Sequence, residues 1–202
     1  FTEKGSISAW FLPVAGLLIV FLYRISGMGQ DKGTNRIIQS AGGEERVPLR
    51  LAPLIFLSTI LTHLCGGSAG REGAALQIGG SLGDNLARLF RMDMDGRRVL
   101  VMCGMGAAFS AVFGTPMAAA LFPLEMVTVG MMYYSALVPC VVSSFVASQF
   151  AAGMGIHPQT FIVREIPSIA FDSVGKIIVV GIGCALVAIL FCRTMRLMAQ
   201  WL

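Results

Sequence analysis

Apolar and polar positions along this chain segregate into blocks rather than alternating residue by residue. Runs without Asp, Glu, Lys or Arg cover Gly5–Tyr23, Leu51–Gly70, Val99–Leu124, Met126–Val163 and Ile177–Cys192. A helix needs roughly 20 such residues to cross a hydrocarbon core of about 30 Å, so the runs predict membrane helices. The 38 residues of Met126–Val163 exceed one crossing. Helices are expected over 7–23, 51–63, 75–90, 99–113, 117–126, 133–152 and 176–193. Breaks are expected at Phe113-Gly114-Thr115-Pro116 and at the turn from Gly153 to Pro158. Trp10, Tyr133 and Tyr134 stand where aromatic rings anchor helices at the membrane interface. Pro13, Pro48 and Pro53 lie near helix starts, where a missing N–H is tolerated. Ser26 to Gln39 is too polar to span and reads as a loop entering a short helix capped at Thr34 or Asn35. Arg88 to Arg98 reads as a solvated loop, and Arg164, Glu165, Pro167 and Asp172 mark another polar connection.

Composition narrows this to one class. With 55% hydrophobic and 13% charged residues and a mean hydropathy of +0.77, a 202-residue chain is too apolar for a soluble domain. The expected fold is all-α, a polytopic membrane protein with broken and tilted helices. The net charge of +4 sits on Lys and Arg between apolar runs, as topology determinants do, so nucleic acid is not an expected partner and the lipid bilayer is. Five cysteines, at 65, 103, 140, 184 and 192, lie inside apolar runs without metal spacing, which argues against a disulfide framework and against a metal site. No cofactor is implied. The chain begins with Phe1, with no charged leader and cleavage site ahead of it, and is expected to be a fragment.

The chemistry concentrates between Gly66 and Gly80. Leu51 to Gly70 carries no formal charge, Arg71 and Glu72 follow, and Gly73 to Leu82 is again apolar or small. A charge at membrane depth is costly and marks a functional site by default. Glycines at 66, 67, 70 and 73 allow the backbone to unwind and approach a ligand. A helix starting near Glu72 would aim free N–H groups and the positive end of its dipole forward, an anion site built of backbone from Gly70, Arg71, Gly73, Ala74 and Ala75. Arg71 would draw anions to the entrance or pair with a carbonyl or carboxylate to fix the loop. His63 reads either as a proton relay or as a polar group satisfied between helices.

Gly70-Arg71-Glu72-Gly73 followed by Ala-Ala-Leu-Gln-Ile-Gly resembles the signature of the CLC family of chloride channels and anion/proton exchangers, with Ala74 where the family usually has Pro. A second block, Gly104 to Glu125, resembles the family's small-residue helix, Phe-x-x-Pro turn and Ala-rich helix leading into acidic residues. The resemblance implies half of an inverted-repeat fold, with about 1–165 the first repeat and 166–202 the start of the second. It implies that Glu72 is the gate and proton-coupling group. Gly33, Thr34 and Asn35 stand where the family's Gly-Ser-Gly-Ile-Pro segment meets the anion. Glu125 is followed by Met126 where proton-coupled exchangers show a second Glu, so Glu125 is a possible secondary proton site or a helix-packing hydrogen bond. Transport of chloride or fluoride with protons, by a homodimer in a bacterial plasma membrane, is what the resemblance implies. The Phe-Gly-Thr-Pro turn, Gly33-Thr34-Asn35 and the missing second Glu lean toward the fluoride-exporting branch.

Two other classes compete. Small-residue faces between 104 and 120 suit a non-transporting scaffold. Ser68 with His63 or His157 suits an intramembrane serine protease, although Ala69 stands where such enzymes carry Gly.

Overall fold

The computed structural model describes residues 10–29, 33–43, 46–127, 133–156, 158 and 171–201, with backbone alone at 171–173, 199 and 201. All its regular elements are helical. In chain order they are α1 (Leu12–Ile25), α2 (Thr34–Ala41), α3 (Leu51–Leu64), α4 (Arg71–Leu89), α5 (Met94–Phe113), α6 (Pro116–Val127), a 3-10 turn (Tyr134–Ala136), α7 (Leu137–Gly153) and α8 (Phe171–Trp201). Two units divide near residue 160; α1 to α7 belong to the first and α8 to the second.

Three helical stretches are long and apolar enough to cross a membrane: Met94–Phe113, Tyr134–Gly153 and Val174–Met198, with mean hydropathies of 1.3, 1.6 and 2.6. By contrast α1 and α3 have 14 residues each and α6 has 12. At 1.5 Å per residue the longer two reach about 21 Å, short of a hydrocarbon core. The uncharged run 51–70 is therefore not one span. Its helix stops at Leu64, the chain turns through Gly66 at φ 76°, and α4 starts at Arg71.

The centre is the antiparallel pair α4 and α5. Gly79 faces Gly104 and Gly83 faces Leu100 so closely that a methyl on either Gly79 or Gly104 would overlap the other's carbonyl oxygen. In lipid, where apolar burial supplies no drive, this backbone-to-backbone approach is how dispersion holds helices together. α5 then meets α6 and α7 on its other side. A methyl on Gly106 would sit 2.9 Å from the Ala119 carbonyl oxygen, and the Ser110 hydroxyl donates to the Ser144 carbonyl at 2.7 Å. Cys103 and Cys140 bring their sulfurs to 3.7 Å in this interface, and all five cysteines are free. Gly114, at φ 67°, supplies the left-handed residue that ends α5 before Pro116 opens α6. The small-residue faces between 104 and 120 are thus partly occupied within the chain: Gly104, Gly106, Ala119 and Ala120 pack closely, while Ala107, Ala108 and Ala111 line an apolar groove and Ala118 is exposed.

One expectation is overturned. The segment from Arg88 to Arg98 is not a solvated loop: Arg88 closes α4, and α5 begins at Met94, so Asp95, Arg97 and Arg98 are helical. Asp93 caps α5, its carboxylate accepting from the Gly96 N–H at 2.9 Å. A capped acidic start followed by two arginines in the first turns made the helix hard to see, because charge density resembles a loop. Arg164, Glu165, Pro167 and His157 lie outside the described residues, and Asp172, expected in the same polar connection, is in the first turn of α8.

Candidate functional site

α2 and α4 run side by side in the same direction, and one face of α4 sets their register. Residues 73, 77, 80 and 84 recur at the spacing of a single helical face. A methyl on Gly73 would lie 3.5 Å from Thr34 Oγ1, and Gln77 Nε2 donates to that same oxygen at 3.2 Å. Gly80 leaves the space that Ile37 fills. Asp84 reaches Ser40 through Arg97. The starts of both helices consequently lie together at one end and the polar cluster lies at the other.

Among the described residues neither start has a side-chain cap. α2 follows Gly33, whose φ of 59° and ψ of −136° exclude residues with a Cβ, and α4 follows the extended Gly70. The expected cap at Thr34 or Asn35 gives way to Gly33: Thr34 is already helical and its hydroxyl faces Gln77, while Asn35 is exposed on the first turn. Each helix start carries roughly half a positive charge. Antiparallel neighbours such as α4 and α5 cancel these charges, whereas parallel neighbours add them. Two uncapped starts placed together make a locus that favours an anion.

The remaining sequence-predicted residues distribute around this locus. Arg71 and Glu72 are exposed and line a cavity of about 310 Å³ with His63, Ser68, Ala69, Val112 and Phe113. Gly33 and Gln77 line a second cavity, of about 480 Å³, whose wall includes Tyr23, Arg24, Met28 and Gly29. The first turns of α4 thus stand between two openings, with Glu72 on one and Gln77 on the other. Gly73 and Ala74 are half-buried and Ala75 is buried. Arg71, Glu72 and Glu125 make no hydrogen bond or ion pair among the described residues; Glu125 is exposed on α6 and lines neither cavity. His63 Nδ1 lies 2.7 Å from the Thr59 carbonyl, to which it donates. Ser68 shares the cavity with His63, with no hydrogen bond between them among the described residues, and the alternative partner His157 lies outside those residues.

Sequence reasoning missed two groups. Among the described residues Gln77 is the one side chain that bonds to Thr34, and its signal is its place one turn after Gly73 on the same face. Asp84 is fully buried, and it was legible as the only formal charge between Gly73 and Ala87, four residues before Arg88. It accepts from the Val47 N–H at 2.9 Å, from Arg88 at 2.7 Å and from Arg97 at close range. Asn85 Nδ2 donates to the Val47 carbonyl at 3.2 Å. Arg98 completes the cluster, donating to the carbonyls of Ala41 at 2.9 Å and Gly42 at 3.0 Å. These last bonds satisfy orphan acceptors at the end of α2.

The family model described as voltage gated chloride channel matches residues 15–202. A chloride/fluoride channel protein of Pseudomonas syringae pv. tomato is 41% identical over 183 residues, which are 90% of this chain and 40% of that protein. The H+/Cl− exchange transporter ClcA of Citrobacter koseri is 33% identical over 132 residues, covering 61% of this chain and 28% of that one. The crystal structure of a CLC-type fluoride/proton antiporter superposes with a TM-score of 0.78 at 33% identity, covering 86% of this chain and 44% of the other. The chain spans less than half the length of these relatives. With the family model matching nearly its whole length, and with helices of membrane-crossing length and apolarity, the chain belongs to the voltage gated chloride channel family of membrane proteins.

Proposed function

We propose that this chain supplies the anion-binding first part of a CLC-type transporter that moves fluoride, and less readily chloride, in exchange for protons. One observation carries the reading: the starts of α2 and α4 lie together at Thr34, Gly73 and Gln77, with no side-chain cap on either among the described residues. A small anion there accepts N–H groups at the head of α4, together with the Thr34 hydroxyl, whose oxygen is already engaged by Gln77 and whose proton is therefore directed outward. Gly33, Gly70 and Asn35 shape the two tips, and Ala74 and Ala75 give the anion close access to backbone. Arg71 and Arg24 face the two cavities and raise the local anion concentration.

Glu72 is the gate in this scheme. Its carboxylate, at the head of α4, competes with the anion for the same positive end; protonation removes its charge and frees the position. Glu125 plays no part in the main proton route. The likeness to a fluoride/proton antiporter structure supports fluoride, and the 41% identical relative is named for both ions. Residues beyond this chain are expected to complete the pathway, in a homodimer of the bacterial plasma membrane. The test is efflux from liposomes holding the full-length protein, followed with fluoride- and chloride-selective electrodes and a pH electrode. Fluoride efflux faster than chloride, with proton movement abolished and anion flux retained in Glu72→Gln, is the expected result. Undiminished proton transport in Glu72→Gln removes Glu72 from the mechanism.

A further inference from the structure

We infer that the cluster of Asp84, Arg97 and Arg98 is a positioning device for the anion locus two turns away. The inference rests on the reading above. α2 has only eight residues and is held at both ends. At its start Thr34 bonds to Gln77, and at its finish Arg97 donates to Ser40 at 3.3 Å while Arg98 donates to the carbonyls of Ala41 and Gly42. Arg97 is tied in turn to Asp84, which is fully buried on the same face of α4 as Gln77. A short helix moves as a rigid rod, so fixing its finish along α4 fixes the gap between the Thr34 hydroxyl and the head of α4. The parallel alignment makes such a tie necessary, because the two positive starts push each other apart. Donors, acceptors and a buried charge are matched at this one end, and they set the register that the other end uses.

Arg98 is the informative position. It is half-buried, it makes two bonds to α2, and its guanidinium lies 5.4 Å from the centre of the Tyr133 ring, so its loss leaves Asp84 and Arg97 paired. The experiment uses the full-length protein in liposomes and compares Arg98→Ala, Arg98→Lys, Ser40→Ala and, as a control for simple destabilisation, Met102→Ala, which hollows α5 in the separate core of Ala120, Leu124 and Cys140. Each is read for half-saturating fluoride, for the fluoride-to-chloride flux ratio and for thermal midpoint. Arg98→Ala is expected to raise half-saturating fluoride about three- to ten-fold and lower the flux ratio. Ser40→Ala shifts both the same way, and Arg98→Lys, which keeps the charge on a single donor nitrogen, recovers part of the loss. Met102→Ala lowers the midpoint without moving either. Should Arg98→Ala fail to fold, Ser40→Ala and Arg98→Lys still decide. Wild-type half-saturation and ratio in the Arg98 and Ser40 variants, with flux intact, overturns this proposal alone. Absence of anion flux from the wild-type full-length protein overturns the transport reading and this proposal with it.

Discussion

Gln77 shows how little at this locus depends on formal charge. Its amide donates to the Thr34 hydroxyl, and Gln77→Leu keeps the volume while removing the donor. That change is expected to free the Thr34 hydroxyl to rotate and to raise half-saturating fluoride several-fold with little effect on folding; flux titration and thermal melting of the same preparation check both halves. Asp84 is the opposite case. Two arginines and a backbone N–H converge on a carboxylate with no solvent exposure, so Asp84→Asn leaves cations without compensation. Breaking a buried pair costs about 3–5 kcal/mol, and unfolding in detergent is expected to show a loss of that order. Glu72, by contrast, is exposed on its cavity, and Glu72→Gln should leave the melting midpoint near wild type.

Among the elements, the α4–α5 pair is the most sensitive to volume. Gly79→Val would place a branched side chain inside the backbone of α5, and no rotamer avoids it. The expected outcome is loss of monodisperse protein on size exclusion, whereas Gly16→Val, in open space on α1, behaves as wild type. This level also shows what could be read from the chain beforehand. The apolar runs located α3, α5, α6 and α7 to within a few residues, because uncharged length in a membrane protein is itself the signal. Gly-Arg-Glu-Gly marked the start of α4, since glycines around a charge have few other uses. The α4–α5 connection was misread for a physical reason: Arg97 and Arg98 look solvated in sequence, and only the approach of Ser40, Ala41 and Asp84 from distant positions shows what they neutralise. The joint placement of Thr34 and Gly73 is likewise a matter of packing between elements 39 positions apart, which no local pattern carries.

At the scale of the molecule, α8 stands as its own unit with large apolar side chains such as Ile177, Val179, Leu186 and Leu190 exposed along it. That surface suits lipid or apolar protein and not water. Cys184 lies near the middle of the 25-residue span, so a water-soluble maleimide is expected to leave it unlabelled in intact vesicles and to label it after denaturation in SDS. The alignment of α2 with α4 has a thermodynamic corollary. Like dipoles laid abreast store repulsion that a counterion discharges, so in the proposed scheme the anion doubles as a structural ligand of the folded protein. By mass action, a halide at 100 times its dissociation constant adds about 2.7 kcal/mol to the folded state. Melting curves in fluoride should therefore climb above those in gluconate at equal ionic strength, and cargo occupancy becomes measurable in a cuvette without any gradient.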